Sequence, residues 1–112
     1  DMFYAHYSTS GLLLGQKQIG TVGFDKGTCL AVSATTGNVY LGGSTNASLT
    51  LNGLNFLPFD VNSTGFIALL NTSLTCINLN GTESFEPDDI LLDATDNVYV
   101  TSSKGVITGS II

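Results

Sequence analysis

The chain has 112 residues, enough for one small domain or a few repeats of a larger array, and its 43% hydrophobic against 11% charged residues excludes a disordered segment. A net charge of −6, with only Lys17, Lys26 and Lys104 as cations, leaves no electropositive footprint for nucleic acid or for an anionic membrane surface. No apolar run approaches the roughly 20 residues of a membrane span, so the chain reads as soluble.

In chain order, short runs rich in Val, Ile, Leu, Thr, Phe and Tyr are cut by Gly, Asn, Asp and Ser, which is the periodicity of β-structure. The predicted strands are Met2 to Tyr7, Leu12 to Ile19, Thr28 to Ser33, Asn38 to Gly42, Ser48 to Leu51 and Leu54 to Leu57. After them come Phe66 to Leu70, Ser73 to Leu79, Ile90 to Leu92, Asn97 to Ser102 and Gly105 to Ile112. No segment reads as a helix. Asn52-Gly53, between LTL and LNF, is a two-residue hairpin signal in which both central residues tolerate a positive φ. Ser8-Thr9-Ser10-Gly11, Thr35-Thr36-Gly37 and Thr95-Asp96 are comparable turn clusters.

The chain also repeats itself. FYAHYSTSG from Phe3 matches FIALLNTSL from Phe66, GTVGF from Gly20 faces GTESF from Gly81, and LAVSATTGNVYLGGS from Leu30 matches LLDATDNVYVTSS from Leu91. The matches keep their order with a slowly shrinking offset, so the second unit is a slightly shortened copy of the first. The expected architecture is all-β: two four-stranded antiparallel, blade-like repeats over 1–62, with an extra hairpin at 46–61, and over 63–112. Two such units belong to a larger propeller or stacked β-array.

These segments resemble the SBBP-type repeat of bacterial β-propellers, which are related to the NHL-type propellers. The resemblance rests on DMFYAHYSTSGLLLGQKQIG followed by GTCLAVSATTGNVYLGGST, and on FIALLNTSL followed by DDILLDATDNVYVTSS. Its sharpest part is the Asn-Val-Tyr strand after an Asn or Gly turn, and it spares only Asn46 to Val61. The resemblance implies an extracellular or cell-surface protein with a scaffold or binding role, and it brings no catalytic residues.

Four N-x-S/T sequons, at Asn46, Asn62, Asn71 and Asn80, lie at strand ends or turns where a glycan projects into water. The same side chains also serve as turn formers through hydrogen bonds to the backbone. Cys29 and Cys76 fit neither a redox CxxC nor a zinc site, which leaves one disulfide or two buried free thiols. The polar, weakly charged composition favours an oxidising compartment and hence a bridge, worth about 4 kcal/mol by chain entropy.

No cofactor or metal site is expected. Glu83, Glu86, Asp88, Asp89, Asp93 and Asp96 gather without the spacing of a calcium loop and read as exposed loop and turn residues. His6, the only histidine, aligns with Leu69 and reads as packing. Tyr4, Tyr7, Tyr40 and Tyr99 read as core before they read as a sugar-stacking surface. A Ser-His-Asp set with Asp25 or Asp60 lacks any nucleophile elbow, so no enzymatic activity is expected. Two units cannot close a ring, and their open edges call for neighbours. The functional expectation is a structural building block of a cell-surface array, sheath or filament, whose partners are copies of itself or adjacent repeats. A carbohydrate- or protein-binding propeller module is the alternative.

Overall fold

The computed structural model of the protein describes residues 1–56, 64–82 and 86–103. Its strands are β1 (Met2–Tyr7), β2 (Leu13–Ile19), β3 (Asp25–Val32), β4 (Val39–Thr45), β5 (Leu49–Leu51), β6 (Leu54–Phe56), β7 (Thr64–Leu70), β8 (Cys76–Gly81), β9 (Asp89–Leu92) and β10 (Val98–Thr101). Every pairing is antiparallel and no helix occurs among the described residues, as the period-2 pattern predicts. The expected last strand, Gly105 to Ile112, lies outside the described residues.

The four-stranded units do not form as expected. One four-stranded sheet, in the order β3-β4-β7-β8, takes two strands from each sequence repeat, while β1-β2, β5-β6 and β9-β10 are separate two-stranded hairpins. The joint is the β4–β7 pairing, which runs from Val39 opposite Leu70 to Thr45 opposite Thr64. The β5-β6 hairpin is an excursion in the connection between them, closed by Asn52 and Gly53 at φ 50° and 82°. The repeat written in the sequence and the sheet built in space are therefore half a unit out of phase. No closed ring forms among the described residues.

Alternation along the strands gives the central sheet two apolar faces. On the front, Val39 and Leu41 of β4, Phe66, Ala68 and Leu70 of β7 and Cys76 of β8 form one buried cluster. Met2, Tyr4 and Ile19 of the β1-β2 hairpin and Leu49 and Leu51 of the β5-β6 hairpin complete it. Each Val, Leu, Ile, Phe or Met side chain among them, fully buried, contributes about 1.5–3 kcal/mol. On the back, Ile90 of β9 and Pro87 pack over Gly42 so closely that a Cβ there would lie 3.1 Å from Pro87 and 2.6 Å from the Cys29 sulfur. The molecule is thus a central sheet with a hairpin layer on either side.

The two repeats are built alike in detail. In the first, Ser8 accepts at Oγ from the amides of Ser10 and Leu12 while its carbonyl accepts from Gly11; Asn71 does the same for Ser73, Thr75 and Leu74. Gly11 and Leu74 both take a positive φ there, 87° and 64°. The strands that follow carry the same β-bulge, since Tyr7 pairs with Leu13 but His6 with Gly15, and Leu70 pairs with Cys76 but Leu69 with Asn78. Ser33 and Asp93 likewise cap equivalent turns, accepting from the amides of Thr35 and of Thr95.

Candidate interaction surfaces

The sequons fall in different surroundings. Asn46 is exposed, and its Oδ1 accepts from the Phe24 amide at 2.6 Å. Asn71 is half-buried and holds the turn just described. Asn80 is half-buried on β8, donating from Nδ2 to Asn78 Oδ1 at 2.7 Å. Asn62 lies outside the described residues.

The cysteines are not bridged: both are free thiols. They stand on the two edge strands of the central sheet, β3 and β8, three strand spacings or about 14 Å apart, whereas a disulfide needs Cα atoms within about 7 Å. Cys29 donates to the Pro87 carbonyl at 3.8 Å and Cys76 to the Asn78 carbonyl at 3.2 Å. Burial pushes both thiols above their ordinary pKa, with Asp89 and Asp88 adding to the effect at Cys29, so both are poor nucleophiles.

The acidic residues are dispersed, each on its own partner. Glu86 accepts from Lys26 Nζ at 3.0 Å and from Ser44 Oγ at 3.1 Å; Asp88 accepts from the Ser103 amide at 2.6 Å and Asp89 from that of Ile90 at 2.9 Å. Asp96 accepts from Ser33 Oγ at 2.7 Å, which ties the equivalent turns of the two repeats together. Asp93 is held far below the usual carboxylate range by the side chain and amide of Asn97, with the amide and hydroxyl of Thr95 assisting. Glu83 lies outside the described residues. No three acidic, His or Cys side chains converge on a metal position among the described residues.

A second carboxylate, Asp25, sits inside. Burial would raise its pKa, but the hydroxyl and amide of Thr21 at 2.6 and 2.9 Å and the Thr45 hydroxyl at 2.9 Å outweigh it and hold Asp25 below the ordinary range. This knot fastens the start of β3 to the end of β4.

The four tyrosines divide. Tyr4 is core and Tyr40 half-buried, but Tyr7 and Tyr99 are exposed, and so is His6, which rims a small cleft with Tyr4, Val32, Val39 and Leu74 instead of packing. The reason is position in the stack: Tyr7 and Tyr99 lie on the two outermost faces of the molecule. On the first of these, Phe3 is 77% exposed although its repeat counterpart Phe66 is 0% exposed. On the second, Leu91 and Tyr99 of the β9-β10 hairpin stand outward at 68% and 55%. Leu30 and Val32 of β3 are a further exposed apolar pair on the front of the central sheet.

Beside β10 runs a cleft of about 140 Å³, floored by Ile67, Leu69, Asn78 and Asn80 on the back of the sheet and walled by Tyr40, Asp96 and Val98. Sequence reading missed it, because the cleft exists only once β9-β10 is laid over the back of β3-β4. The alignment of Phe3 with Phe66 was the signal pointing to it.

No protein-family model, curated protein or solved structure matches the chain.

Proposed function

We propose that the protein is an extracellular structural glycoprotein, a building block of a cell-surface array, sheath or filament that assembles by stacking β-repeats on one another. The observation that carries this reading is the unequal fate of equivalent residues. Phe66 is sealed against a preceding hairpin while Phe3, at the same repeat position, faces solvent. The outer hairpins therefore expose the very surfaces that the repeat uses for packing, and contiguous exposed apolar surface of that kind marks an interaction site. The resemblance to SBBP-type repeats and the exposed sequon at Asn46 agree with a surface location. The alternative, a carbohydrate-binding module, has less support: the cleft beside β10 is below the roughly 300–1,000 Å³ of ordinary ligand pockets, and the hollow of about 660 Å³ on the β1-β2 hairpin, lined by Asp1, Met2, Phe3, Gln16, Lys17 and Gln18, offers Phe3 as its one aromatic lining residue.

Sedimentation of the native protein, with electron microscopy of the same sample, tests the reading. Polymers or rings of regular repeat are expected. A protein that stays a monodisperse monomer across the concentration range of its native setting would refute it.

A further inference from the structure

Resting on that reading, we infer that a second copy of this chain joins head to tail by adding its β1 to the edge of β10 that no described strand pairs, with β1 seated in the cleft beside that edge. The joint is written inside the molecule already. In repeat terms β10 is equivalent to β4 and β1 to β7, and β4 and β7 pair antiparallel. Among the described residues, β10 pairs only with β9 and β1 only with β2, so the β1-β2 and β9-β10 hairpins each present half of a four-stranded sheet. Two copies complete it as β9-β10-β1-β2 from the described strands.

The equivalence fixes the register. Val39 stands opposite Leu70, Tyr40 opposite Leu69, Leu41 opposite Ala68 and Gly42 opposite Ile67. Carried to the joint, Val98 stands opposite Tyr7 of the second copy, Tyr99 opposite its His6, Val100 opposite its Ala5 and Thr101 opposite its Tyr4. A shift by one residue would turn every side chain to the wrong face.

The same operation accounts for the uncovered surfaces. Within the chain, Phe66, Ala68 and Leu70 bury themselves against the hairpin that carries Tyr4. Their equivalents Phe3, Ala5 and Tyr7 of the second copy then fall over Ile67, Leu69, Asn78 and Asn80, which is the floor of the cleft. Ile90 packs over the back of β3-β4. Its equivalent Leu30, with Val32, falls over the exposed Leu91 and Tyr99 of the first copy. The turns agree in charge as well. Ser33 donates to Asp96 within the chain, and at the joint Asp93 meets the equivalent of Asp96, which is Gly37, so no two carboxylates face each other.

A head-to-tail joint of this kind is heterologous and yields a ring or an open filament. It also places Asn80 in the interface, so Asn80 is unglycosylated in the assembled form whatever the state of Asn46.

The test is a cysteine pair in the full chain, Tyr99→Cys with His6→Cys, oxidised under native conditions and compared with the off-register pair Tyr99→Cys with Tyr4→Cys. The in-register pair is expected to give a ladder of covalently linked copies and the off-register pair none, since opposed residues bring Cα atoms within disulfide range and diagonal ones do not. A separate variant, Phe3→Glu, puts a charge into the cleft and is expected to weaken association by at least about 30-fold with the unfolding midpoint of the monomer unchanged. Assembly that persists without cross-linking in this register, or with Phe3→Glu, overturns the joint while leaving self-assembly standing. Absence of any assembly of the unmodified chain overturns both.

Discussion

Truncating one phenylalanine at each of two equivalent positions separates the core of the repeat from its outer face. Phe66 is fully buried in the cluster formed by the central sheet and the β1-β2 and β5-β6 hairpins. Phe66→Ala removes its contacts and leaves a cavity, at a cost of about 3–5 kcal/mol, a third or more of a typical small domain's stability. Phe3 occupies the same repeat position but is 77% exposed, so Phe3→Ala changes monomer stability by no more than about 0.5 kcal/mol. Urea unfolding followed by circular dichroism, at concentrations where the chain is monomeric, measures both. With an m-value near 2 kcal/mol/M, the Phe66 variant moves the midpoint down by roughly 2 M and the Phe3 variant leaves it in place. If the two variants lose similar stability, the β1-β2 hairpin does not have an outer face, and the stacking order deduced for the molecule is wrong.

Gly43 lies opposite Phe66 in the β4–β7 pair, and a Cβ there would stand 2.5 Å from the Lys26 carbonyl oxygen and 2.9 Å from the Phe66 ring. Gly43→Ala is therefore expected to destabilise by about 1–3 kcal/mol, read as a lower thermal midpoint, whereas Gly20, where a Cβ would meet only the exposed Asp1 side chain, tolerates more. Because Asp25 has a lower pKa folded than unfolded, its contribution is present above the unfolded value of about 4 and is lost as pH falls through the folded value. Asp25→Asn should flatten the acid limb of the stability curve relative to the parent chain; an unchanged limb would show that the Thr21 and Thr45 hydrogen bonds do not favour the carboxylate. For the cysteines, mass analysis of the non-reduced chain is expected to give the mass of two thiols, with the buried Cys76 alkylated only after denaturation. A loss of two hydrogens would contradict the edge-strand positions of Cys29 and Cys76.

The strands and turns were legible because their signals are local. Asn52-Gly53 closes a hairpin since both residues must adopt positive φ, and Met2 to Tyr7 alternates so that Met2 and Tyr4 go inward. The fate of Cys29 and Cys76 was not legible, because composition speaks to compartment while bridging is decided by which strands the cysteines occupy. His6 misled for a related reason. Alignment with Leu69 gives its place in the repeat, but burial depends on what covers that place: His6 follows Tyr4 on the inner face of β1, at the rim of the cleft toward Val32 and Gly37, where no described side chain closes over it.

The phase of the sheet was the larger omission, and it governs the functional argument. Two self-contained four-stranded units would meet their neighbours only through their faces, leaving each sheet with two edges of its own. The observed phase instead divides the chain into a half sheet, a whole sheet and a half sheet. In that division the extra hairpin Leu49–Phe56 falls in the middle of the whole sheet, between β4 and β7, where it seals the front against β8 without disturbing the β4–β7 pairing. Each half sheet has one edge that no described strand pairs, and exposed edges invite pairing unless something guards them. Neither β1 nor β10 carries a proline, lysine or inward charge that would serve as such a guard. The absence of that protection at the two strands that mirror the internal joint agrees with the proposed addition of β1 to β10, and a lysine introduced at either edge is the kind of guard that would oppose it.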